Sequence, residues 1–282
     1  MITEIFKAIL FGIVEGITEW LPVSSTGHMI LLDEFVSFNV SSGKEAAAAF
    51  FEMFEVVIQL GAIGAVLVYF FHKLNPFSKK KGEIQKKQTW NLWGKVIVAV
   101  LPSAVLGLIL DDWMDEHLYN FVVVAITLVI YGVAFIVVER LNKRLRPRIT
   151  DVNEIDYRTA LLIGAFQCLA LIPGTSRSGA TILGAILLGV SRPAAAEFSF
   201  FLAIPTMAGA SALKLVKYLM ERLPNGNELI VLAVGCVVAF GVSLLVVRGL
   251  MNFVRKRSFA SFGVYRIVLG VIVIGYYLVE VM

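Results

Sequence analysis

Six apolar stretches, residues 46–72, 90–110, 119–138, 194–216, 229–248 and 262–281, leave this chain few choices of fold. Each is about 20 residues or longer, the length a helix needs to cross a hydrocarbon core of about 30 Å. Hydrophobic residues make up 58% of the 282, against about 45–50% apolar usage in a soluble domain. The pattern predicts an all-α polytopic membrane protein, a single membrane domain over 1–282. The N-terminal stretch lacks the basic segment of a signal peptide, and Glu15 and Glu19 interrupt its apolar run. Cys168 and Cys236 fall in apolar segments and read as two buried thiols, with no disulfide framework or metal-binding CxxC.

Charge placement sets an expected topology. Segment 73–95 carries seven lysines and one glutamate. Segment 139–158 holds Arg140, Lys143, Arg144, Arg146, Arg148 and Arg158, and 248–257 holds Arg248, Arg255, Lys256 and Arg257. Between the first two lies the acidic DDWMDEH, 111–117. Short basic loops flanking apolar spans follow the positive-inside rule, which accounts for them without a nucleic-acid partner. The basic segments are then cytoplasmic and 111–117 external. The span count closes only if 156–192 enters and leaves on one side, which places both chain ends outside.

Two stretches echo each other. GIVEGITEWLPVSSTGH, 12–28, resembles GAFQCLALIPGTSRSGA, 164–180: Gly12 matches Gly164, Gly27 matches Gly179, and a one-residue slip aligns Pro22 with Pro173. Each is an apolar helix, a proline, a Ser/Thr/Gly cluster and a short apolar helix. Three spans separate the copies, and an odd number inverts the second relative to the first. The expectation is an inverted-topology repeat, 1–140 and 156–282. Each half has three spans plus a re-entrant helical hairpin, 4–36 in the first and 158–190 in the second. Pro22 disfavours helix at Leu21. The arm from His28 to Val36 would be only about 13 Å long as a helix, too short to cross. Irregular backbone at that depth must be buried or line a wet cavity.

The two loops carry the polar chemistry. Glu15 and Glu19, four residues apart, share a helix face. Two carboxylates at membrane depth call for a cation between them, a shared proton or a basic partner; with a phosphate ligand they suit Mg²⁺ or Ca²⁺. Ser24, Ser25 and Thr26 precede the short helix with Gly27. One hydroxyl suffices for an N-cap, and a helix N-terminus also offers N–H donors to an anion. His28, beside Ser25, has the chemistry of a general acid, whereas His72 and His117 sit at span ends. In the second loop, Thr175, Ser176, Ser178 and Gly179 surround Arg177, whose planar fork suits a phosphate or a carboxylate, Glu15 or Glu19 included. Two acids, a hydroxyl, a histidine, an arginine and two helix N-termini suit phosphoryl transfer on a lipid.

EGITEWLPVSSTGH and PGTSRSGAT resemble the two signature motifs of the bacterial undecaprenyl-diphosphate phosphatases, also called bacitracin resistance proteins. The likeness runs along nearly the whole chain, including FEVVIQLG at 54–61 and SRPAAAEFSFFLAIP at 191–205. Trp20, where phenylalanine is common, and the lysine-rich 78–87 loop are mild departures. The resemblance implies hydrolysis of undecaprenyl diphosphate to the monophosphate and phosphate. That would recycle the carrier lipid for peptidoglycan synthesis and give bacitracin resistance. It implies a bacterial inner-membrane enzyme with its site open to the external face, dependent on a divalent cation held by Glu15 and Glu19, and leaves room for a homodimer. By motif matching Glu15, Glu19, Ser25, His28 and Arg177 are its catalytic positions. Ser24, Thr26, Gly27, Thr175, Ser176, Ser178 and Gly179 would bind substrate. A transporter or flippase of an anionic polyprenyl lipid is the alternative, since inverted repeats meeting at a midplane site are also a transporter architecture. A transporter needs donors but no nucleophile, so Ser25 separates the two.

Overall fold

Every apolar stretch folds as helix in the computed structural model, which describes residues 1–41, 43–118, 120–142 and 146–281. A first hairpin consists of α1 (Ile2–Thr18) and α2 (Ser25–Phe35). The helices α3 (Lys44–Val57) and α4 (Gln59–Tyr69) follow end to end, then the single turn α5 (Phe71–Leu74), α6 (Glu83–Leu118) and α7 (Phe121–Asn142). The second half repeats the order: α8 (Tyr157–Gln167) and α9 (Arg177–Leu187) form a hairpin, and α10 (Arg192–Glu221), α11 (Gly226–Val254) and α12 (Ala260–Val281) follow. Among the described residues six helical segments are long and apolar enough to cross a membrane: 44–69, 83–110, 122–142, 192–221, 226–254 and 260–278. They overlap the six stretches read from the sequence. Their outer faces are greasy, with Leu108, Ile109, Val237 and Leu245 all exposed, as lipid and not water would tolerate.

The helices begin earlier or run longer than the apolar runs suggest. The acidic segment 111–117, expected as a loop, is the last part of α6, because no proline or glycine falls between Asp111 and Leu118 to break it. Half of the lysine-rich segment is likewise the start of α6, beginning at Glu83. Lys143 and Arg144 of the second basic segment lie outside the described residues.

Packing is closest where glycines let helix backbones meet. A Cβ on Gly12 would lie 2.8 Å from the carbonyl oxygen of Gly235 in α11, and one on Gly164 would lie 2.1 Å from that of Ala99 in α6. The glycines matched between the two sequence copies thus do the same work. Each hairpin's first helix packs on the second long span of the other half, and α7 packs on α12. One core threads this framework: Trp20 of the first loop, Ile182 and Ile186 of α9, and Phe198, Phe200 and Phe201 of α10. The two short hairpins are thereby fixed by the spans around them.

Candidate active site

Both loops turn on a serine in a left-handed conformation. Ser24 has φ 75° and Ser176 φ 73°, separated by the same offset as Gly12 and Gly164. A non-glycine residue there is uncommon and marks a place where structure overrides local preference. Each side chain caps the helix that follows: Ser24 Oγ accepts from the Gly27 N–H at 3.3 Å, and Ser176 Oγ from the Gly179 N–H at 3.1 Å. Helix α2 therefore starts at Ser25 and α9 at Arg177. Capping occupies one hydroxyl per loop and frees the next residue for chemistry.

That next residue is Ser25 in one loop and Arg177 in the other, and they meet at Glu19. Ser25 Oγ donates to Glu19 Oε2 at 2.6 Å. Arg177 donates to Glu19 Oε1 from Nη2 at 2.9 Å and from Nε at 3.3 Å. Its Nη1 donates to the Ser199 carbonyl at 2.7 Å. Ser199 Oγ and Thr181 Oγ1 lie 2.7 Å apart beneath it. Trp20, wholly buried and edge-on to Phe200, lies under the guanidinium, 5.9 Å from its centre. Glu19 is 6% exposed and Arg177 11%, so this is a sheltered pair whose charges matter more than on a surface. Of the two carboxylates read from the sequence as partners for Arg177, the structure chooses Glu19.

Glu15 takes a different direction. It is buried, its Oε1 has no hydrogen-bond partner, and it borders a small cavity with Thr26, Met29, Glu55, Val56 and Gln59. Among the described residues no group of three or more His, Cys, Asp or Glu converges as a ready metal centre.

His28 is not hydrogen-bonded to Ser25. Its Nδ1 lies 2.6 Å from the Ser24 carbonyl and its Nε2 2.7 Å from the Tyr265 hydroxyl, with the two rings stacked. A carbonyl can only accept, so in the neutral ring Nδ1 carries the proton and Nε2 accepts from Tyr265. The acceptor for the Ser25 proton is Glu19. Ser178 ties the loops together, donating to the carbonyls of Glu19 and Leu21 at 3.2 and 3.3 Å. Thr175 is buried beside Tyr131. Thr26 stands between the cavity at Glu15 and the Ser25 turn.

Four residues of this site escaped the sequence reading: Thr181, Ser199, Tyr265 and Arg266. Arg266 of α12 is fully buried, donating to the Pro22 carbonyl at 3.1 Å and to the Gly174 carbonyl at 2.7 Å. It clamps the first loop at Pro22 and the second at Gly174, with its guanidinium over the Tyr131 ring at 5.5 Å. The signal was an arginine inside the apolar run FGVYRIVLGV, where a charge is costly and marks function.

Gly174 makes the clamp possible. Its φ is +83°, and an added Cβ would meet Thr127 Oγ1 at 2.1 Å and the Val124 backbone at 2.8 Å. Thr127 Oγ1 also donates to the Pro173 carbonyl at 2.8 Å. Gly174→Ala is expected to displace the second loop, costing about 2–4 kcal/mol from left-handed strain plus overpacking. A lower unfolding temperature together with a fall in turnover would register it; wild-type values of both would show that the loop adapts.

Residues 8–272 match the family described as bacitracin resistance protein BacA. The chain is similar to the undecaprenyl-diphosphatase of Enterococcus faecalis (strain ATCC 700802 / V583), 56% identical over 279 residues, with 99% of each chain covered. It is 58% identical over 275 residues to that of Limosilactobacillus fermentum, covering 97% of this chain and 98% of the relative. It is 57% identical over 274 residues to undecaprenyl-diphosphatase 1 of Clostridioides difficile (strain 630), covering 97% and 96%.

Proposed function

Because the chain belongs to the bacitracin resistance protein BacA family, we propose a mechanism in which Ser25 and Glu19 carry out its chemistry. The protein is an undecaprenyl-diphosphatase: it hydrolyses undecaprenyl diphosphate to undecaprenyl phosphate and phosphate in the membrane. The observation that carries the mechanism is the 2.6 Å hydrogen bond from Ser25 Oγ to Glu19 Oε2. A hydroxyl nucleophile needs a base within reach, and Glu19 is held in place from its other side by Arg177.

Ser25 Oγ passes its proton to Glu19 and bonds to the terminal phosphorus. The bond from that phosphorus to the bridging oxygen breaks, and undecaprenyl phosphate leaves. Glu19 returns that proton to the departing phosphate oxygen and is again a base when water attacks the phosphoserine; it then takes the water proton and gives it to Ser25 Oγ as the bond from Ser25 to phosphorus breaks and phosphate departs. Arg177, whose fork now spans Glu19, turns part of its donor set to the incoming phosphate. The amides at the start of α2 and α9 add donors for the anion. His28, bonded to the Ser24 carbonyl and to Tyr265, fixes the first loop beside Ser25.

A divalent cation, Mg²⁺ or Ca²⁺, fits the oxygen donors here, because Glu15 presents a buried oxygen with no hydrogen-bond partner. Glu15 and Glu19 would hold it. When bound it would offset the negative charge that the diphosphate brings.

The two halves are taken as an inverted repeat, with the hairpins re-entrant and the site facing outward. Supporting this are the paired left-handed serines, the crossed packing of α1 on α11 and α8 on α6, and an α2 only about 16 Å long. The comparisons lend no support to a transporter. The test is phosphate release from a polyprenyl diphosphate in right-side-out membrane vesicles. Phosphate is expected in the outer medium. Release only into the lumen would reverse the facing, and no release would remove the phosphatase reading.

A further inference from the structure

Arg177, Arg192 and Arg222 each hold a buried glutamate: Glu19, Glu139 and Glu228 in turn. Arg266 is buried more deeply than any of the three, with no exposure at all, and holds none. Its Nη1 and Nη2 donate to the carbonyls of Pro22 and Gly174, its face meets the Tyr131 ring, and its Nε has no hydrogen-bond partner. Among the described residues, the ionisable groups that share its field are Tyr131 and His28, neither of them a carboxylate. Carbonyls and a ring satisfy donors without supplying a negative charge. A full charge shut away from water is costly unless an opposite charge compensates it, so one kept at this depth calls for an anion from outside the chain.

The position of Arg266 says where that anion lies. Pro22 and Gly174 each stand two residues ahead of the serine that caps the following helix. Nη1 lies 3.5 Å from the place a Cβ on Gly179 would occupy, in the first turn of α9. The cation is therefore lodged behind the N-termini of both α2 and α9. Ser24 and Ser176 occupy the amides of Gly27 and Gly179, and the amides before them precede any carbonyl of their own helix. Free amides backed by a buried positive charge favour an anion in front of them.

The two arginines of the site work on different sides. Arg177 faces the carboxylates, bonded to Glu19 and acting on Glu15. Arg266 acts on His28, whose ring is stacked on Tyr265. Tyr265 and its neighbours Val264 and Val268 on α12 are exposed on the outer surface of the bundle, where a polyprenyl chain can lie in lipid.

We propose that Arg266 is the positioning residue for the lipid-side phosphate of the diphosphate. That phosphate lies over the first turns of α2 and α9 on the Tyr265 side, and is the counter-charge that Arg266 lacks within the chain. The terminal phosphate lies on the other side, at Ser25 and Arg177. Arg266 acts through the loops it holds and through its field, without touching the substrate. The inference rests on the diphosphate substrate of the proposed function and adds the direction in which that substrate lies.

The experiment compares two ligands, one for each position. Farnesyl phosphate carries a lipid-side phosphate, and inorganic phosphate is the product of the terminal position. Their binding to full-length protein in detergent micelles is measured by calorimetry, with protein-free micelles subtracted. Arg266→Met is expected to weaken farnesyl phosphate by about 30-fold and inorganic phosphate by no more than about 3-fold, since the field falls with distance. Arg177→Lys should show the opposite preference. Arg266→Lys keeps the charge but not the two-carbonyl span, so it should lower the unfolding temperature while holding farnesyl phosphate within about 5-fold of wild type. Where Arg266→Met does not accumulate, the lysine variant decides alone. Equal weakening of both ligands in Arg266→Lys, in step with the fall in unfolding temperature, would make Arg266 a clamp only and overturn the proposal. The same preference in the Arg266 and Arg177 variants would put both cations on one phosphate and overturn the direction. Wild-type protein that does not bind farnesyl phosphate overturns it outright. Phosphate release by the wild type, measured in parallel, reports on the proposed function separately.

Discussion

Ser25→Ala is expected to lose turnover on the order of 10⁴-fold or more, since the nucleophile and its positioning disappear together. Its neighbour Ser24→Ala should keep most activity. Ser24 contributes the cap to α2 through the Gly27 N–H, and losing a cap costs about 1 kcal/mol of stability. The two variants therefore separate along different axes, one in rate and one in unfolding temperature. Rapid quenching of wild-type turnover with terminally labelled substrate should trap phosphate on Ser25. The rival chemistry is direct attack by water, with Ser25 only donating to phosphate. No phosphoenzyme, together with appreciable turnover by Ser25→Ala, would decide for water.

Glu19→Gln should remove the proton acceptor while preserving shape. An amide oxygen can still accept from Ser25 and Arg177, so hydrogen bonds survive but base strength does not. A fall of roughly 10²–10⁴-fold in kcat is expected, the range associated with a general base. Folding should survive because Arg177 retains the charge of Glu15 nearby and the Ser199 carbonyl. Arg177→Lys tests the other side of the same pair. Lysine carries the charge but cannot span Glu19 and Ser199 with one planar group, so kcat should drop by about two orders of magnitude with the protein still inserted. Measuring kcat and KM separately on detergent-solubilised protein distinguishes the cases. Near-normal kcat in Glu19→Gln would show that the 2.6 Å contact is structural. Near-normal kinetics in Arg177→Lys would show that a point charge suffices.

Residues that look equivalent in the two sequence copies can be put to different uses. Gly12 and Gly164, or Ser24 and Ser176, do the same job in each half. The position matching Glu15 in the second copy is Gln167, which donates to Ser103 Oγ at 2.6 Å and Thr206 Oγ1 at 3.2 Å beside the prolines inside α6 and α10. The second copy thus keeps the fold's geometry with a neutral side chain, while the first keeps the charge. Two loops of similar backbone carry an asymmetric site because the chemistry needs one nucleophile and base from one loop and one cation from the other.

The sequence by itself determined the helical class, the six spans and the two proline-centred loops, because each rests on local quantities: the length of an apolar run, the backbone limits of proline, and the cost of charge at membrane depth. It also determined which side chains could do chemistry, and Glu19, Ser25 and Arg177 do meet. Which contacts form was decided only by the tertiary structure. Glu15 and Glu19 share a helix face by spacing, yet α9 delivers Arg177 to Glu19, while α3 and α4 deliver Glu55 and Gln59 to Glu15. His28 adjoins Ser25 along the chain, but the Ser24 carbonyl and Tyr265 of α12 claim its ring. Arg266 lies 244 residues from Pro22 along the chain and enters the site only because α12 packs on α7. Partners so far apart are selected by how helices pack against one another, through glycine contacts and a shared aromatic core, and periodicity within one helix carries no trace of which neighbour it will meet.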